Sequence, residues 1–501
     1  MLPLLTTLQI READAYTIAH EPVASIDLME RASLAFVNAF IPRFPDQAAS
    51  ITIFCGTGNN GGDGLAIARL LSQHGYERLS VIVARFSDKS TPDFDANLKR
   101  ANEAGLKVKE IKPDDDFESI RGDIFIVALL GTGLNKPLDG GLKRLVDFIN
   151  AQNKTTVAVD VPAGLFSDGE MPKGATTLRS DLVITFRQPK INFLLPESGA
   201  HIKKWEAVEI GLDEHFIHSL KSPYQAIQED DISQMLRPRH RFSNKGTYGH
   251  TLIVAGQPET MGAALLCSSA CVFAGSGLTT ACVPQSGLTA LNSYMPEVMA
   301  VVREGGRIPP INYSAYSALA VGPGLGKDDA ALALFCDVLS NYKKPMVLDA
   351  DGLNLLSAHP QLWKSVPPNS ILTPHMKEFD RLFGQHENWW QRIQTGIQKA
   401  KEHHVYILLK NDYTINITPG GKVYFNTSSN PAMASGGMGD ILTGIIAAFL
   451  AQGYLSEDAA ILAAWLHGKA GDELALPAKL NVVLPSQVAA KIPAIMAGLM
   501  A

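Results

Sequence analysis

The chain has 501 residues, of which 46% are hydrophobic, and its formal net charge is −6 at pH 7. This length exceeds one ordinary hydrophobic core, so we expect two domains, and the apolar fraction excludes intrinsic disorder. The negative charge provides no general attraction for nucleic acid, so we expect no nucleic-acid partner.

The cysteines and the hydropathy pattern indicate the compartment. The five cysteines are scattered, at Cys55, Cys267, Cys271, Cys282 and Cys336. Cys267 and Cys271 are one helical turn apart, but no second pair follows at zinc-site spacing, so we interpret all five as buried free thiols of a reducing compartment. Residues 1–10 lack the basic flank of a signal peptide, and no apolar run approaches the roughly 20 residues of a membrane span. We therefore expect a cytoplasmic protein with no membrane partner.

The first half alternates short apolar runs with helical patterns. An amphipathic helix is predicted over 22–40, strands over 51–55, 80–86, 124–130, 156–161 and 182–186, and helices over 64–75, 93–105 and 140–152. This alternation predicts a parallel sheet covered on both faces, a Rossmann-like three-layer α/β/α domain. Polar residues between Gly211 and Asp231 interrupt the pattern, so the first domain is predicted to span 1–220.

The second half, 221–501, repeats this style of architecture and is predicted to be a second α/β/α domain with a mostly parallel sheet. Strands are predicted over 251–255, 278–283, 318–321, 345–348 and 405–409, and helices over 440–451 and 457–470. We expect an α/β protein of two domains.

A glycine-rich segment follows the first strand of the first domain, Gly56-Thr57-Gly58-Asn59-Asn60-Gly61-Gly62-Asp63-Gly64. Its spacing fits a dinucleotide-binding turn, in which exposed backbone N–H groups hold phosphate. Glycines at such a turn also serve tight strand–helix packing. The acid expected at the end of the next strand is not clear, because Arg85 stands there with Asp88 beyond it.

Residues 1–215 resemble the NAD(P)H-hydrate epimerase domain. The resemblance rests on that segment together with Leu28-Met29-Glu30-Arg31-Ala32, Gly131-Thr132-Gly133-Leu134-Asn135-Lys136-Pro137 and Val159-Asp160-Val161-Pro162-Ala163-Gly164-Leu165. It implies that Asn59, Asn60, Gly61, Gly62, Asp63 and the residues from Gly131 to Pro137 bind a hydrated nicotinamide nucleotide. It also implies that Asp160 is a catalytic acid/base, although Asp160 could instead only cap the turn before Pro162.

The sequence departs from this family at its potassium site. The family has Asp and Ser where this chain has Val127 and Ala163, and the third ligand position holds Asn60. A hard cation needs oxygen ligands, and Val127 has no side-chain oxygen. We therefore predict a weak or absent potassium (K⁺) site at Asn60 and an epimerase activity that is reduced or lost.

The second glycine-rich segment is Asn430-Pro431-Ala432-Met433-Ala434-Ser435-Gly436-Gly437-Met438-Gly439-Asp440, at the start of an apolar helix. Glycines allow a backbone to approach a transferring phosphoryl group, whose charge meets the helix N-terminus. Asp440 can take the proton of the hydroxyl that is phosphorylated; its alternative is a helix-capping role. The segment resembles the ribokinase-like superfamily.

Further motifs narrow that resemblance to ADP- or ATP-dependent NAD(P)H-hydrate dehydratases over about 230–495. They are Lys245-Gly246-Thr247-Tyr248-Gly249-His250, Met261-Gly262-Ala263-Ala264, Val321-Gly322-Pro323-Gly324-Leu325-Gly326, Leu348-Asp349-Ala350-Asp351-Gly352-Leu353-Asn354, Leu372-Thr373-Pro374-His375-Met376-Lys377-Glu378-Phe379, Leu409-Lys410-Asn411-Asp412-Tyr413-Thr414 and Leu466-His467-Gly468.

The resemblance assigns roles to individual residues. Ala264, Gly324, His375 and Asp440 are expected to face the hydrated nicotinamide, with Asp440 catalytic, whereas the adenine nucleotide is expected at Lys410, Asn411, Asp412, Tyr413, Thr414, Gly436, Gly437 and Gly439. A lone histidine such as His375 is more commonly a structural strand-end residue. Met438 stands where threonine is common in the family, so we expect one hydroxyl contact to phosphate to be missing.

Three functions remain open at this point. The first is repair of NADH hydrate and NADPH hydrate, with ADP or ATP as co-substrate and Mg²⁺ to neutralise the nucleotide phosphates. The second is a ribokinase-like kinase for a small alcohol, such as a vitamin precursor, and the third is a dehydratase whose amino-terminal domain only binds a ligand. The resemblance also implies a homo-oligomer.

Overall fold

The computed structural model describes residues 1–21, 23–304 and 307–500. The chain divides into two compact units. The amino-terminal unit consists of residues 3–222 and 388–390, and the carboxy-terminal unit of 1–2, 223–387 and 391–501. Pro22, the first residue of the helix predicted over 22–40, lies outside the described residues, as does Ala501.

The amino-terminal unit is built on a parallel sheet. The strands of this part of the chain are β1 (Leu2–Pro3), β2 (Ile51–Cys55), β3 (Leu79–Ala84), β4 (Val108–Ile111), β5 (Ile124–Ala128), β6 (Thr155–Val159), β7 (Leu182–Phe186) and β8 (Trp205–Val208). Seven of them form one sheet in the order β4-β3-β2-β5-β6-β7-β8, and every pairing in it is parallel. Strands β2 and β5 are buried along their whole length because helices cover both faces of a parallel sheet.

Six helices accompany this sheet. They are α1 (Thr7–His20), α2 (Ser25–Phe40), α3 (Asn59–Gln73), α4 (Pro92–Glu103), α5 (Gly140–Ala151) and α6 (Glu214–Ser219). The predicted helix over 64–75 therefore begins five residues earlier, at Asn59, so the segment 59–63 is the first helical turn and not a loop.

The carboxy-terminal unit contains the larger sheet. Its further strands are β9 (Tyr224–Ile227), β10 (His250–Val254), β11 (Leu278–Pro284), β12 (Met299–Arg303), β13 (Ala318–Val321), β14 (Val347–Leu348), β15 (Ile371–Leu372), β16 (Tyr406–Leu409), β17 (Ile415–Ile417) and β18 (Val423–Asn426). The eleven strands run β1-β9-β18-β17-β16-β15-β14-β13-β10-β11-β12. Strands β16–β17 and β17–β18 pair antiparallel, because short turns connect these three strands, and the pairings from β9–β18 and from β16 through β12 are parallel.

The remaining helices of the chain follow in order. They are α7 (Glu229–Met235), α8 (Met261–Phe273), α9 (Leu288–Tyr294), α10 (Asp329–Asn341), α11 (Ala350–Ala358), α12 (Met376–Phe383), α13 (Trp389–His403), α14 (Met438–Ala451), α15 (Ser456–Ala478) and α16 (Pro485–Leu499). Helix α14 is apolar apart from Asp440 and Thr443, and most residues of α15 up to Gly471 are buried, so both helices belong to the main core of this unit.

The predicted α/β class with mostly parallel sheets is confirmed. The predicted strands are found within two residues at most ends, but short or half-exposed strands such as β4, β8 and β12 were missed, since their apolar runs are too brief to stand out. Helix α15 continues eight residues past the predicted end at 470. In the described part of the chain, no helix is long and apolar enough to cross a membrane.

Candidate active sites

The first candidate site lies at the carboxyl ends of the amino-terminal strands, where ligands bind in parallel α/β sheets. A cavity of about 380 Å³ opens there. Its lining residues are Leu5, Ile10, Arg11, Asp14, Asn59, Asn60, Asp63, Gly131, Thr132, Gly133, Asp160, Phe186, Arg187, Gln188, Lys190, Ile210 and Leu212. Strand β6 delivers Asp160, β7 delivers Phe186, and the first turn of α3 delivers the asparagines.

The glycines of this first turn serve packing more than ligand approach. A Cβ atom on Gly61 would lie 1.9 Å from the carbonyl oxygen of Gly56, and one on Gly62 would lie 2.7 Å from the sulfur of Met29. Neither glycine lines the cavity among the described residues. Gly61 allows α3 to start directly against the end of β2, and Gly62 leaves room for Met29 of α2. Asn59, Asn60 and Asp63 of the same turn line the cavity.

Asp160 is a buried carboxylate, and one of its two oxygens has three polar partners. Its Oδ1 accepts hydrogen bonds from Thr185 Oγ1 at 3.1 Å and from the Phe186 N–H at 3.0 Å, and Lys190 Nζ lies 2.8 Å away. Its backbone φ is +63°, in the left-handed region that residues with a side chain rarely adopt. A residue that only capped the turn would not need this strained conformation or a buried lysine partner.

Two further carboxyl groups share this cavity with Asp160. The pKa of Asp14 is raised to about 6 by burial and by the charge of Asp160, whereas the charge of Lys190 acts to lower it. Burial, followed by the charges of Asp160, Asp14 and Asp93, raises the pKa of Asp63 well above its usual value. The cavity therefore holds two carboxyl groups with raised pKa values, Asp14 and Asp63, beside Asp160, which is paired with Lys190.

The structure brings together part of the predicted substrate set. Asn59, Asn60, Asp63, Gly131, Thr132, Gly133 and Asp160 line the cavity, whereas Leu134, Asn135, Lys136 and Pro137 do not. Sequence reasoning missed Arg11, Asp14 and Lys190. The sequence held no motif for them. Arg11 and Asp14 are, however, a pair of ionisable residues at spacing i, i+3, which places them on the same face of one helix, and this spacing can be detected in a sequence.

The donor set does not fit a potassium ion. Asn60 Nδ2 donates a hydrogen bond to the Val159 carbonyl at 2.9 Å, and its Oδ1 is buried without a partner among the described residues. Val127 and Ala163 are also buried and supply no side-chain oxygen. Among residues 1–21, 23–304 and 307–500, no group of three or more His, Cys, Asp or Glu side chains could hold a metal ion.

The second candidate site is a cavity of about 340 Å³ in the carboxy-terminal unit. It is lined by Lys410, Asn411, Asp412, Thr414, Asn426, Ser428, Ser429, Asn430, Pro431, Met433, Ala434, Met438, Gly439, Leu442, Ala464, His467 and Gly468. These residues come from the turn after β16, the end of β18 and the segment after it, the start of α14 and the middle of α15, so the glycine-rich segment and the 410–414 turn form one site.

Helix α14 begins with a left-handed residue, Gly437, whose φ is +98°. Asp440 follows in the first turn, at the positive end of the helix. The pKa of Asp440 is raised to about 7, because burial and, next, the charge of Asp349 raise it more than the charge of Lys410 lowers it. No ion pair or hydrogen bond occupies this carboxyl among the described residues, so a helix-capping role is not seen.

Lys410 pairs with a different carboxylate, Asp349, which lies between β14 and α11. Lys410 Nζ donates to Asp349 Oδ1 at 2.8 Å, and Thr443 Oγ1 donates to Asp349 Oδ2 at 2.8 Å. Glu378 Oε2 lies 4.0 Å from Lys410 Nζ. Burial alone would lower the pKa of Lys410, but the charges of Asp349 and Glu378 and the hydrogen bond to Asp349 raise it above its usual value.

The predicted nucleotide residues are only partly found at this cavity. Lys410, Asn411, Asp412, Thr414 and Gly439 line it, whereas Tyr413, Gly436 and Gly437 do not. His467, which the sequence showed in a motif without a role, also lines it, and burial lowers its pKa to about 4, so it is neutral at pH 7. Its Nε2 is buried without a partner among the described residues.

The residues predicted to face the nicotinamide lie outside this cavity. Asp440 directly follows the lining residue Gly439, and Ala264 is fully buried on α8. Gly324 accepts a hydrogen bond through its carbonyl from Thr260 Oγ1 at 2.7 Å. His375 caps α12, because its Nδ1 accepts from the N–H groups of Lys377 and Glu378, and its side chain is half exposed.

Family models match both units. A model described as NAD(P)H-hydrate dehydratase matches residues 251–494, and one described as YjeF-related protein N-terminus matches residues 25–192.

Full-length relatives cover nearly the whole chain. A bifunctional NAD(P)H-hydrate repair enzyme of Moorella thermoacetica is 33% identical over 491 residues, which cover 94% of this chain and 92% of the relative. One from Coxiella burnetii is 32% identical over 480 residues, 95% of each chain. Among solved structures, a ribokinase-like superfamily protein of Enterococcus faecalis is 26% identical, with a TM-score of 0.50 over 55% of this chain and 96% of that chain. The predicted ribokinase-like fold of the second unit is confirmed.

Proposed function

Because the chain belongs to the family of bifunctional NAD(P)H-hydrate repair enzymes, we propose that it restores hydrated nicotinamide nucleotides to their active form. The carboxy-terminal unit dehydrates the (6S) hydrates of NADH and NADPH with ADP, or ATP, as phosphoryl donor. The observation that carries this proposal is Asp440, a carboxyl group whose pKa is raised to about 7 and which forms no ion pair within the described part of the chain, beside a cavity of about 340 Å³.

The chemistry follows from the position of this carboxylate. Hydroxide is a poor leaving group, so the C6 hydroxyl is first converted to a phosphate ester, and Asp440 takes the hydroxyl proton as the oxygen attacks the terminal phosphorus. Phosphate then departs with the C6–O electron pair, the ring nitrogen forms a double bond to C6, and loss of a proton from C5 restores the dihydropyridine.

The nucleotide is expected in the cavity that Lys410, Asn411, Asp412, Thr414 and Gly439 line. Mg²⁺ bound to the nucleotide would neutralise phosphate charge during transfer. Lys410 remains hydrogen-bonded to Asp349, so its charge acts on the phosphates from a fixed position. The substrate is expected on the Asp440 side, where Ala264, Gly324 and His375 would contact it.

The amino-terminal unit is proposed to interconvert the R and S hydrates, with Asp160 as an acid/base. The cavity beside Asp160, with Asn59, Asn60 and Asp63 in its wall, supports this role. A second candidate function for this unit is ligand binding without catalysis, which Val127 and Ala163 favour because they remove two cation ligands. We further propose a homo-oligomer in a reducing compartment such as the cytoplasm, where five free cysteines are stable.

The test uses the purified full-length chain with separated R and S epimers of NADH hydrate, ADP and Mg²⁺. We expect the near-ultraviolet absorbance of the dihydronicotinamide to recover quickly from the S epimer and more slowly from the R epimer, with AMP and phosphate released in equal amounts. Recovery from the S epimer alone would retain the dehydratase and assign ligand binding to the amino-terminal unit. A stable phosphate ester, with no recovery of absorbance, would instead identify a small-alcohol kinase.

A further inference from the structure

We propose that Asp14 is a second catalytic residue of the amino-terminal cavity, a proton donor that works together with Asp160 on the C6 oxygen of the hydrated nicotinamide. This inference rests on the proposed epimerase function of the unit. It adds a residue that no sequence motif indicated.

The two carboxyl groups reach one cavity from different elements. Asp14 lies on α1, and Asp160 lies at the end of β6; both line the same space of about 380 Å³. A ligand bound between α1 and the strand ends would therefore contact both groups. Arg11, one turn before Asp14 on α1, adds a cation to the same wall.

The Asp14 carboxyl group makes no structural hydrogen bond or ion pair with the described residues. In the described part of the chain, no group donates a hydrogen bond to it. Asp123 of the same unit shows the structural alternative, because its Oδ2 accepts hydrogen bonds from Ser50 N at 3.0 Å and Ser50 Oγ at 2.6 Å. A half-buried carboxyl without any such partner is available to a ligand.

Different charges surround the two carboxyl groups. Asp160, at the end of β6, and Lys190, in the segment after β7, act on Asp14, while Asp63 on α3 and Arg11 on α1 itself line the same cavity. Burial is the largest cause that raises the pKa of Asp14, to about 6, whereas Lys190 Nζ forms an ion pair with Asp160 Oδ1 at 2.8 Å. A carboxyl group with a raised pKa beside a carboxylate that is paired with a lysine is a usual arrangement of an acid and a base.

Epimerisation at C6 needs such an acid and base. Asp14 gives its proton to the C6 hydroxyl. The C6–O bond then breaks, its electron pair stays with the oxygen, which departs as water, and the N1 lone pair forms the N1=C6 double bond. A water then adds to the other face of C6, and Asp160 takes one of its protons. The product is the other epimer, and the two carboxyl groups have exchanged protonation states, so the reverse reaction uses them in opposite roles. No oxidant or reductant is required.

The experiment measures the approach of pure R hydrate of NADH to the R/S equilibrium, by chiral chromatography, with the full-length chain and without ADP. The variants are Asp14→Asn, Asp14→Glu and Asp160→Asn. Glu12→Gln is the matched control, because Glu12 is an exposed carboxylate on the same helix and does not line the cavity. ADP-dependent dehydration of the S hydrate is measured in every variant as a check on the carboxy-terminal unit.

We expect Asp14→Asn to lower kcat for epimerisation at least roughly 100-fold, the usual contribution of a general acid, with KM and S-hydrate dehydration unchanged. Asp14→Glu should recover part of the rate, and the wild-type rate should fall as pH rises above about 6 because the donor loses its proton. A rate for Asp14→Asn within twofold of Glu12→Gln, while Asp160→Asn is inactive, would overturn the role of Asp14 and leave the epimerase standing. Absence of wild-type epimerisation above the buffer rate would overturn both.

Discussion

Lys410 donates its hydrogen bond to Asp349 and not to Asp440, although the charges of both carboxyl groups act on the lysine. Asp349 is almost fully buried and is held from its other oxygen by Thr443. The ion pair of Lys410 is therefore formed with Asp349, and Asp440 keeps the raised pKa that a general base near pH 7 needs.

This division of charge predicts the pH dependence of dehydration. Asp440 must be ionised to accept a proton, so kcat/KM should rise with pH and level off above about 7. Asp349→Asn removes a charge that raises the pKa of Asp440 and should move the midpoint to lower pH. Lys410→Met removes a charge that lowers it and should move the midpoint to higher pH.

The measurement is the pH profile of S-hydrate dehydration for the three proteins, with circular dichroism to confirm that each variant is folded. Lys410 also lines the nucleotide cavity, so the absolute rate of its variant will fall; the midpoint is the quantity that tests the idea. Midpoints that stay fixed, or that move in the same direction in both variants, would disprove the assignment.

The second prediction concerns potassium. Val127→Asp together with Ala163→Ser would supply two oxygen ligands for potassium, in addition to Oδ1 of Asn60, which is buried without a partner among the described residues. We expect the double variant to gain potassium-dependent thermal stability and epimerase activity, measured in potassium chloride against choline chloride. The unmodified chain should respond equally to both salts, and strong potassium activation of it would refute our interpretation of these two positions.

The third prediction separates packing from ligand contact in the first glycine segment. A methyl group on Gly61 would overlap the Gly56 carbonyl, whereas a Cβ on Gly58 has nothing within 4 Å and needs no left-handed backbone. We expect Gly61→Ala to destabilise the amino-terminal unit by about 1–3 kcal/mol, as overpacking does, and Gly58→Ala to have little effect. Calorimetry of both full-length variants measures this, and equal stability would show that the turn relaxes freely.

The sequence allowed the α/β class and most central strands to be predicted, because buried parallel strands are long apolar runs. It also singled out Asp160 and Asp440, because both acids lie in recognisable motifs, and their catalytic roles stay predictions. It did not show that Gly61 contacts the protein backbone, since a glycine for close packing and a glycine for phosphate approach leave the same pattern. Asp14 was missed for another reason. An acid on a helix without a recognisable motif becomes significant only when folding brings it beside Asp160 and Lys190.

The most direct test of the account is Asp440→Asn in the full-length chain, with Asp329→Asn, an exposed acid at the start of α10, as the matched control. The measurement is turnover of (6S)-NADH hydrate with ADP and Mg²⁺, together with nucleotide affinity by calorimetry. Removal of a general base predicts a loss of turnover of roughly 100-fold or more, with nucleotide affinity within a few-fold of the control. Turnover that matches the control would contradict the central claim that the carboxyl group of Asp440 accepts the proton of the C6 hydroxyl.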